Sequence, residues 1–364
     1  MTMRIVLGQA ARATEEYLTF ARQLGVSGVQ LNTPDLPGER RWELSDLIAL
    51  RERVEGYGLH LEAIENIPNQ FYENAMLGRA GRDDDIENVA ATITSIGKAG
   101  IPVLGFHWMP TSVWRTELAP LGRGGATVSA FDLALAEDPA RASSILVARR
   151  DRRVEDQKDS WSRGALFDVG GPISDDDMWS AYEYFVSALV PIAERAGVRL
   201  ALHPDDPPVA SLGGVARIFR SVAALKRCVE LSPGPGFGIE LCLGTVSEMG
   251  GEGAVLDAIR YLAPRDKIAY VHLRDVKGTV PAFVECFLGE GNYRPARVIR
   301  ELRQQGFDGF IMDDHTPALV GDSAYGHRGR AFALGYIQGL IEMMELDDLG
   351  ALASGTQSRS DARS

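Results

Sequence analysis

Residues 196–204 read AGVRLALHP, and the rest of the chain repeats their order. A helix-period run ends at Ala196. Gly197 supplies the left-handed turn that closes such a helix. A short apolar run follows, with His203 at its end. AGIPVLGFHW at 99–108 and QGFDGFIMDDH at 305–315 repeat the order of helix end, Gly turn and strand. Working outward, short apolar runs bounded by Gly, Pro or charge recur at 3–8, 28–32, 60–66, 103–108, 199–204, 238–244, 268–275 and 309–315. Several are nearly continuous in Val, Ile and Leu, as buried parallel strands are. Helix-period stretches at 14–24, 44–57, 84–99, 176–196, 215–231, 254–263, 295–305 and 329–346 separate or follow them. Strand then helix, eight times over, predicts an α/β chain folded as a (β/α)8 barrel, a TIM barrel.

A chain of 364 residues exceeds the usual ~250 of such a barrel, and one gap holds the excess. Residues 109–175 form a long insertion after the fourth strand, with an Arg-rich stretch (Arg149, Arg150, Arg152, Arg153) and Trp161. It leaves from the C-terminal face of the barrel, so a lid or a subunit contact is expected. Residues 1–346 are read as one barrel domain and 347–364 as a polar, disordered tail.

Composition narrows the partners. Lys plus Arg total 38 against 50 for Asp plus Glu, a formal charge of -12. Such a surface repels phosphate backbones and anionic lipids, so neither nucleic acid nor a membrane is an expected partner. No run approaches 18 apolar residues, and MTMRIVLGQA has no signal-peptide pattern. Cys228, Cys242 and Cys286 are too sparse for a disulfide framework. The expected address is the cytoplasm.

In this architecture the strand C-termini form the active-site rim. His107, His203, His272 and His315 all fall at or near expected strand ends, whereas His60 and His327 do not. A single histidine there is more often structural than functional; four on one rim reverse that. His203, Cys242, His272 and either Asp313 or Asp314 stand on the last four strands. Two imidazoles, a thiolate and a carboxylate suit a divalent transition metal such as Zn²⁺, Fe²⁺ or Mn²⁺. An isolated cysteine would be read as a small buried hydrophobe; a place between two His-bearing strands argues otherwise. Strand alternation puts only one of the two aspartates inside, and pattern alone leaves that choice open. Around this set, Glu65, His107, Asp205, Asp206 and Arg274 are candidate substrate contacts. Arg274 is favoured over Lys277 because it shares a strand face with His272. Asn66 is a weaker candidate, and Trp108 and Trp114 read as packing. The bland alternatives are turn caps for the aspartates and solvated charge for the cations.

Several segments resemble the mannonate dehydratases of the xylose-isomerase-like barrels. They are LEAIENIP at 61–68, GIPVLGFHWMP at 100–110, WRT at 114–116, HPDDPP at 203–208 and LCLGT at 241–245. VHLRDVK at 271–277, GFDG at 306–309, DH at 314–315 and YG at 325–326 complete them. The resemblance implies a metal-dependent hydro-lyase converting D-mannonate, or a closely related aldonate, to 2-keto-3-deoxy-D-gluconate. It implies Mn²⁺ as the usual metal, held by His203, Cys242, His272 and Asp314, and an acid/base pair of His315 and Tyr325. A homo-oligomer, dimer or tetramer, is expected. The chain departs from the family at Asn69, Gln70 and Phe71, at His107, at Val284 in FVECF and at Met312–Asp313. A metal-dependent sugar isomerase or epimerase on the same barrel is the alternative. A non-catalytic binding barrel is opposed by the intact ligand set. A dinucleotide-binding domain is opposed by the lack of any Gly-x-Gly-x-x-Gly turn after a strand; GGEG at 250–253 follows no clear strand.

Overall fold

The computed structural model describes residues 3–138 and 169–361, with side chains as far as 346. The Arg-rich stretch and Trp161 of the expected insertion lie outside the described residues. In chain order the strands are β1 (Arg4–Ala10), β2 (Gly28–Asn32), β3 (His60–Glu65), β4 (Val103–His107), β5 (Glu117–Ala119), β6 (Val128–Asp132) and β7 (Arg199–His203). They continue with β8 (Ser211–Leu212), β9 (Val215–Ala216), β10 (Phe237–Cys242), β11 (Ile268–Leu273), β12 (Asp275–Thr279), β13 (Ala282–Cys286) and β14 (Phe310–Asp313). Eight of them close into a barrel in the order β1-β14-β11-β10-β7-β4-β3-β2, every neighbouring pair parallel. All eight expected strands are present, each end within two residues of its expected place.

The Gly turns behave as read. Gly100, Gly197 and Gly306 all have φ near +70 to +90° (77, 69 and 87°), a conformation other residues adopt at a cost. The helix Asp175–Ala196 opens with a capping box in which Ser174 and Asp177 exchange hydrogen bonds. Two helix expectations are corrected. The stretch expected to be helical from 215 begins its helix at Val222, because Val215–Ala216 pairs with Ser211–Leu212 as a small hairpin. The helix expected from 254 starts at Leu243, directly off the end of β10, and breaks at Gly250 and Gly251. The last helix, His327–Asp361, also continues through backbone expected to be a polar tail.

Alternation along each strand sorts side chains between two environments. Leu200, Leu202, Ile239, Leu241, Val271, Leu273 and Ile311 point outward into the main core under the helices. Trp108 packs there against Phe185 and Tyr182 at ring separations of 4.9 and 5.5 Å, contacts worth ~0.5–1.5 kcal/mol beyond area burial. Val6, Ala63, Val103, Ala201, Tyr270, Phe310 and Met312 fill the barrel interior. Continuing the alternation upward puts Glu65, His107, His203, Cys242 and His272 inside, at the C-terminal mouth. On β14, Met312 is inside, so Asp313 turns out and Asp314 turns in.

A second sheet stands beside the mouth. It has the order β12-β13-β6-β5 and joins the chain that follows β4 to the chain that follows β11. Among the described residues no helix is long and apolar enough to cross a membrane.

Candidate active site

Four consecutive barrel strands, β7, β10, β11 and β14, bring His203, Cys242, His272 and Asp314 together. Donor atoms of His203, Cys242 and His272 all lie within 4.8 Å of one another. Asp314 Oδ2 is 3.8 Å from Cys242 Sγ and 3.7 Å from His272 Nδ1. Donors bound to one ion at about 2.0–2.3 Å stand roughly 3–4 Å apart, so the set fits a single cation. The His203 Nδ1–H donates to the Pro204 carbonyl at 2.6 Å, which leaves Nε2 for the cluster. Both ring nitrogens of His272 are buried without a hydrogen bond among the described residues. Such an orphaned pair is costly unless something else takes it up.

Charge in the cluster is matched to a cation. Burial alone would raise the Cys242 thiol. The Arg274 charge and the neighbouring imidazoles of His203 and His272 outweigh burial and bring it down to about 5. Cys242 also caps the helix that starts at Leu243, and Thr245 Oγ1 donates to its sulfur at 3.3 Å. A helix N-terminus favours a thiolate. Burial likewise opposes ionisation of Asp314, yet His315 and His272 hold it well below the usual carboxylate range.

Below the cluster lie two buried acids. His272 Nε2 stands 3.2 Å from Glu65 Oε2 and 3.3 Å from Glu240 Oε1. Glu65 also accepts from Gln9, Asn32 and Gln30. Glu240 accepts from Tyr270 Oη at 2.6 Å, and burial together with the Glu65 charge raises its carboxyl above the usual range while His272 and His203 oppose that. Carboxylates on the far nitrogen of a metal-binding histidine fix its tautomer and orientation. Gly105 makes room for them: a Cβ there would come within 2.9 Å of both Glu240 Oε2 and Tyr270 Oη.

His315 follows Asp314 in the left-handed region (φ 42°), a sparsely populated conformation that recurs at functional sites. Its side chain is 30% exposed whereas Asp314 is 4% exposed, so His315 is the member open to an incoming molecule. Its Nδ1 lies 2.7 Å from Glu285 Oε1. Glu285 also accepts from Arg115 and, at 2.5 Å, from Ser129. Asp206 sits between two cations, accepting from Arg115 at 2.6 and 2.8 Å and from Arg274 at 2.7 Å. Arg274 also donates to Glu248.

Other expected contacts are placed differently. Arg274 is 1% exposed and committed to Asp206 and Glu248, so it belongs to the buried network beneath His315 instead of facing a substrate. Asp205 accepts from the Phe219 N–H at 2.7 Å and secures the loop after β7; burial raises its carboxyl to about 6. Asp206 holds the two arginines. Glu65 serves His272 from below. His107 Nδ1 accepts from the Met109 N–H at 3.2 Å. Tyr325 donates to the Gly8 carbonyl at 2.6 Å and packs on Tyr17. Its hydroxyl is therefore not brought to His315. Asn66 has φ 65° and bonds Asn32, with its own Oδ1 buried and unpaired among the described residues. Trp114 Nε1 donates to Thr111.

Sequence reasoning missed Glu240, Glu285, Arg115 and Glu248. Glu240 stands two residues before Cys242 and therefore on its face, a signal that was readable. Glu285 stands on β13 of the second sheet and Arg115 in the chain leading into β5, and nothing local in the sequence brings these two segments to the barrel mouth.

Residues 3–348 match the family model described as D-mannonate dehydratase (UxuA). The mannonate dehydratase of Streptococcus equi subsp. zooepidemicus is 30% identical over 326 residues, 87% of this chain and 88% of its own length. The crystal structure of the mannonate dehydratase from Streptococcus suis serotype 2 superposes with a TM-score of 0.78 at 28% identity, covering 94% of this chain and 95% of that one. An L-ribulose 3-epimerase structure shares the fold, with a TM-score of 0.56 at 16% identity over 94% of this chain and 97% of its own.

Proposed function

The chain belongs to the D-mannonate dehydratase family, and from that premise we propose that D-mannonate is its substrate and that His203, Cys242, His272 and Asp314 hold the metal it needs. It is a hydro-lyase of sugar acids. The proposed product is 2-keto-3-deoxy-D-gluconate. The observation that carries the metal reading is the convergence of His203, Cys242, His272 and Asp314 from four adjacent strands, where His272 Nδ1, on the Asp314 side of the ring, has no hydrogen-bond partner among the described residues. Mn²⁺ is the proposed ion, with Fe²⁺ or Zn²⁺ as alternatives compatible with a Cys/His/Asp set. The chemistry such an ion supplies is Lewis-acid stabilisation of the negative charge that develops when C2 loses its proton.

The side chains divide the remaining work. His315, exposed at the rim and next to the ligand Asp314, takes the C2 proton as general base. Glu65 and Glu240 hold the His272 ring from the barrel interior. Asp206 and Glu285 balance Arg115 and Arg274 in a floor under His315. Departure of the C3 hydroxyl needs a proton donor. Tyr325 is the proposed one, recruited from its bond to Gly8. The enol left behind tautomerises to the 2-keto acid. All three cysteines are free, in keeping with the cytoplasmic address proposed here.

The test joins elemental analysis of the purified protein to a sugar-acid panel of D-mannonate and its epimers. One divalent ion per chain and release of a 2-keto-3-deoxy acid are expected. A product of unchanged mass would exclude dehydration. His315→Asn should keep the ion and lose turnover; full turnover would exclude His315 as base.

A further inference from the structure

We propose that Glu285 is a positioning residue for the dehydration: it takes the proton-bearing Nδ1 of His315 and thereby leaves Nε2 as a lone pair directed at the reacting carbon. The proposal rests on the reading of His315 as the base.

The geometry decides the tautomer. Three groups surround His315 Nδ1: Glu285 Oε1 at 2.7 Å, Arg274 Nη1 at 3.3 Å and Arg115 Nη2 at 3.4 Å. A carboxylate accepts only, whereas a guanidinium donates only. If Nδ1 were bare, the shortest of the three contacts would set a lone pair against a carboxylate. If Nδ1 carries the proton, that contact becomes a charge-assisted hydrogen bond. Arg115 Nη2 already spends both its hydrogens, on Asp206 at 2.8 Å and on Glu285 at 2.9 Å, and Arg274 Nη1 spends one of its two on Asp206 at 2.7 Å, so its longer contact with Nδ1 is the weaker claim on the ring. Nδ1–H is therefore the favoured form. The free Nε2 lies 3.5 Å from Asp314 Oδ1, on the side of the ligand cluster.

Glu285 is itself held rigidly. It is buried on β13, where it pairs across with Val276 of β12. Its Oε2 takes the Ser129 hydroxyl of β6, and its Oε1 takes Arg115 from the chain after β4. The second sheet thus delivers one carboxylate to the base from outside the barrel. When Nε2 accepts the C2 proton, the ring becomes an imidazolium whose Nδ1–H still rests on Glu285. The carboxylate stabilises that charge and is not itself protonated, the division of labour known for His–carboxylate pairs in general.

The experiment compares Glu285→Gln, Glu285→Asp and His315→Asn in the metal-loaded enzyme with D-mannonate and with the C2-deuterated acid. Expected for Glu285→Gln is a fall in kcat of roughly 10²–10⁴-fold, the usual range for a general base out of order, with KM and bound metal unchanged and a larger deuterium effect on kcat. Glu285→Asp should recover part of the loss. Should Glu285→Gln fail to fold, Glu285→Asp decides against the wild type: a lower kcat with intact metal content supports the proposal, and an unchanged kcat overturns it. A Glu285→Gln enzyme within threefold of wild type while His315→Asn is inactive also overturns it, leaving the base in place. An active His315→Asn enzyme overturns the base reading, and this proposal with it.

Discussion

Metal binding should expel two protons at neutral pH. Without an ion, burial disfavours charge on His203, but Glu240 first, and then Cys242, carry its pKa up to about 10. His272 is likewise lifted well above 6.5, against burial, by Glu65 and Glu240. Both rings are cations at pH 7, while Cys242 and Asp314 are anions. The four side chains therefore sum to zero charge before the ion arrives. An ion needs an imidazole lone pair, so each ring must surrender one proton. Two positive charges enter and two leave, which spares a buried site any net change in charge. At pH 7 the proton on His203 lies three units below its pKa, a cost of about 4 kcal/mol taken out of metal affinity. Each released proton makes apparent affinity rise tenfold per pH unit, so two give about 100-fold between pH 7 and 8. Calorimetric titration of the metal-free protein in buffers of different ionisation heat counts these protons directly. His203→Asn should release about one and flatten the slope to tenfold. An affinity independent of pH, or a proton count near zero, would refute the charge assignment.

Three further outcomes can be checked. Cys242→Ser should weaken metal binding by more than about 100-fold, whereas Glu240→Gln, behind the His272 ring, should cost about 10–100-fold; equilibrium dialysis separates them, and equal losses would count against the ligand set. Asp206→Asn leaves Arg115 and Arg274 buried with a weaker partner and should destabilise the fold by up to about 3–5 kcal/mol in chemical denaturation; an unchanged midpoint would mean the network is slack. Burial raises the Glu285 carboxyl, but His315 and Arg115 bring it down to about 2 from 4.5. Its stabilisation, on the order of 3 kcal/mol, is therefore complete above pH ~4.5 and is lost as pH falls toward 2. Urea midpoints should fall in that window for the wild type and less for Glu285→Gln.

The barrel was legible because each strand carries its own local evidence. AGVRLALHP contains a Gly that must turn, an apolar run that must be buried and a polar residue where burial ends. The convergence of His203, Cys242, His272 and Asp314 was legible for the same reason, since strand ends meet in this architecture whatever lies between them. The choice of Asp314 over Asp313 followed once the interior side of Met312 was fixed. The protein partners of Arg274 were not legible, because strand register reports a face and not a partner. Four acids, Asp206, Glu248, Asp314 and Glu285, surround it from other parts of the chain. Glu285 escaped because β13 pairs with β6, some 150 residues earlier in the chain, as Val284 does with Ala130. The Gly278 and Pro281 of the turn between β12 and β13 were the available hint of a hairpin.

The period of two along the barrel strands has a consequence for how this sequence tolerates length changes. Adding or deleting one residue within β7, β10 or β11 would exchange His203, Cys242 or His272 for the hydrocarbon beside it, and the site would vanish while composition barely changed. β14 is built differently, with an acid on each side of its wall. A one-residue slip there would still offer a carboxylate to the interior, and the damage would fall on Arg330, whose partner is Asp313. Chemistry at that corner is buffered against misregister, and the penalty is transferred to folding.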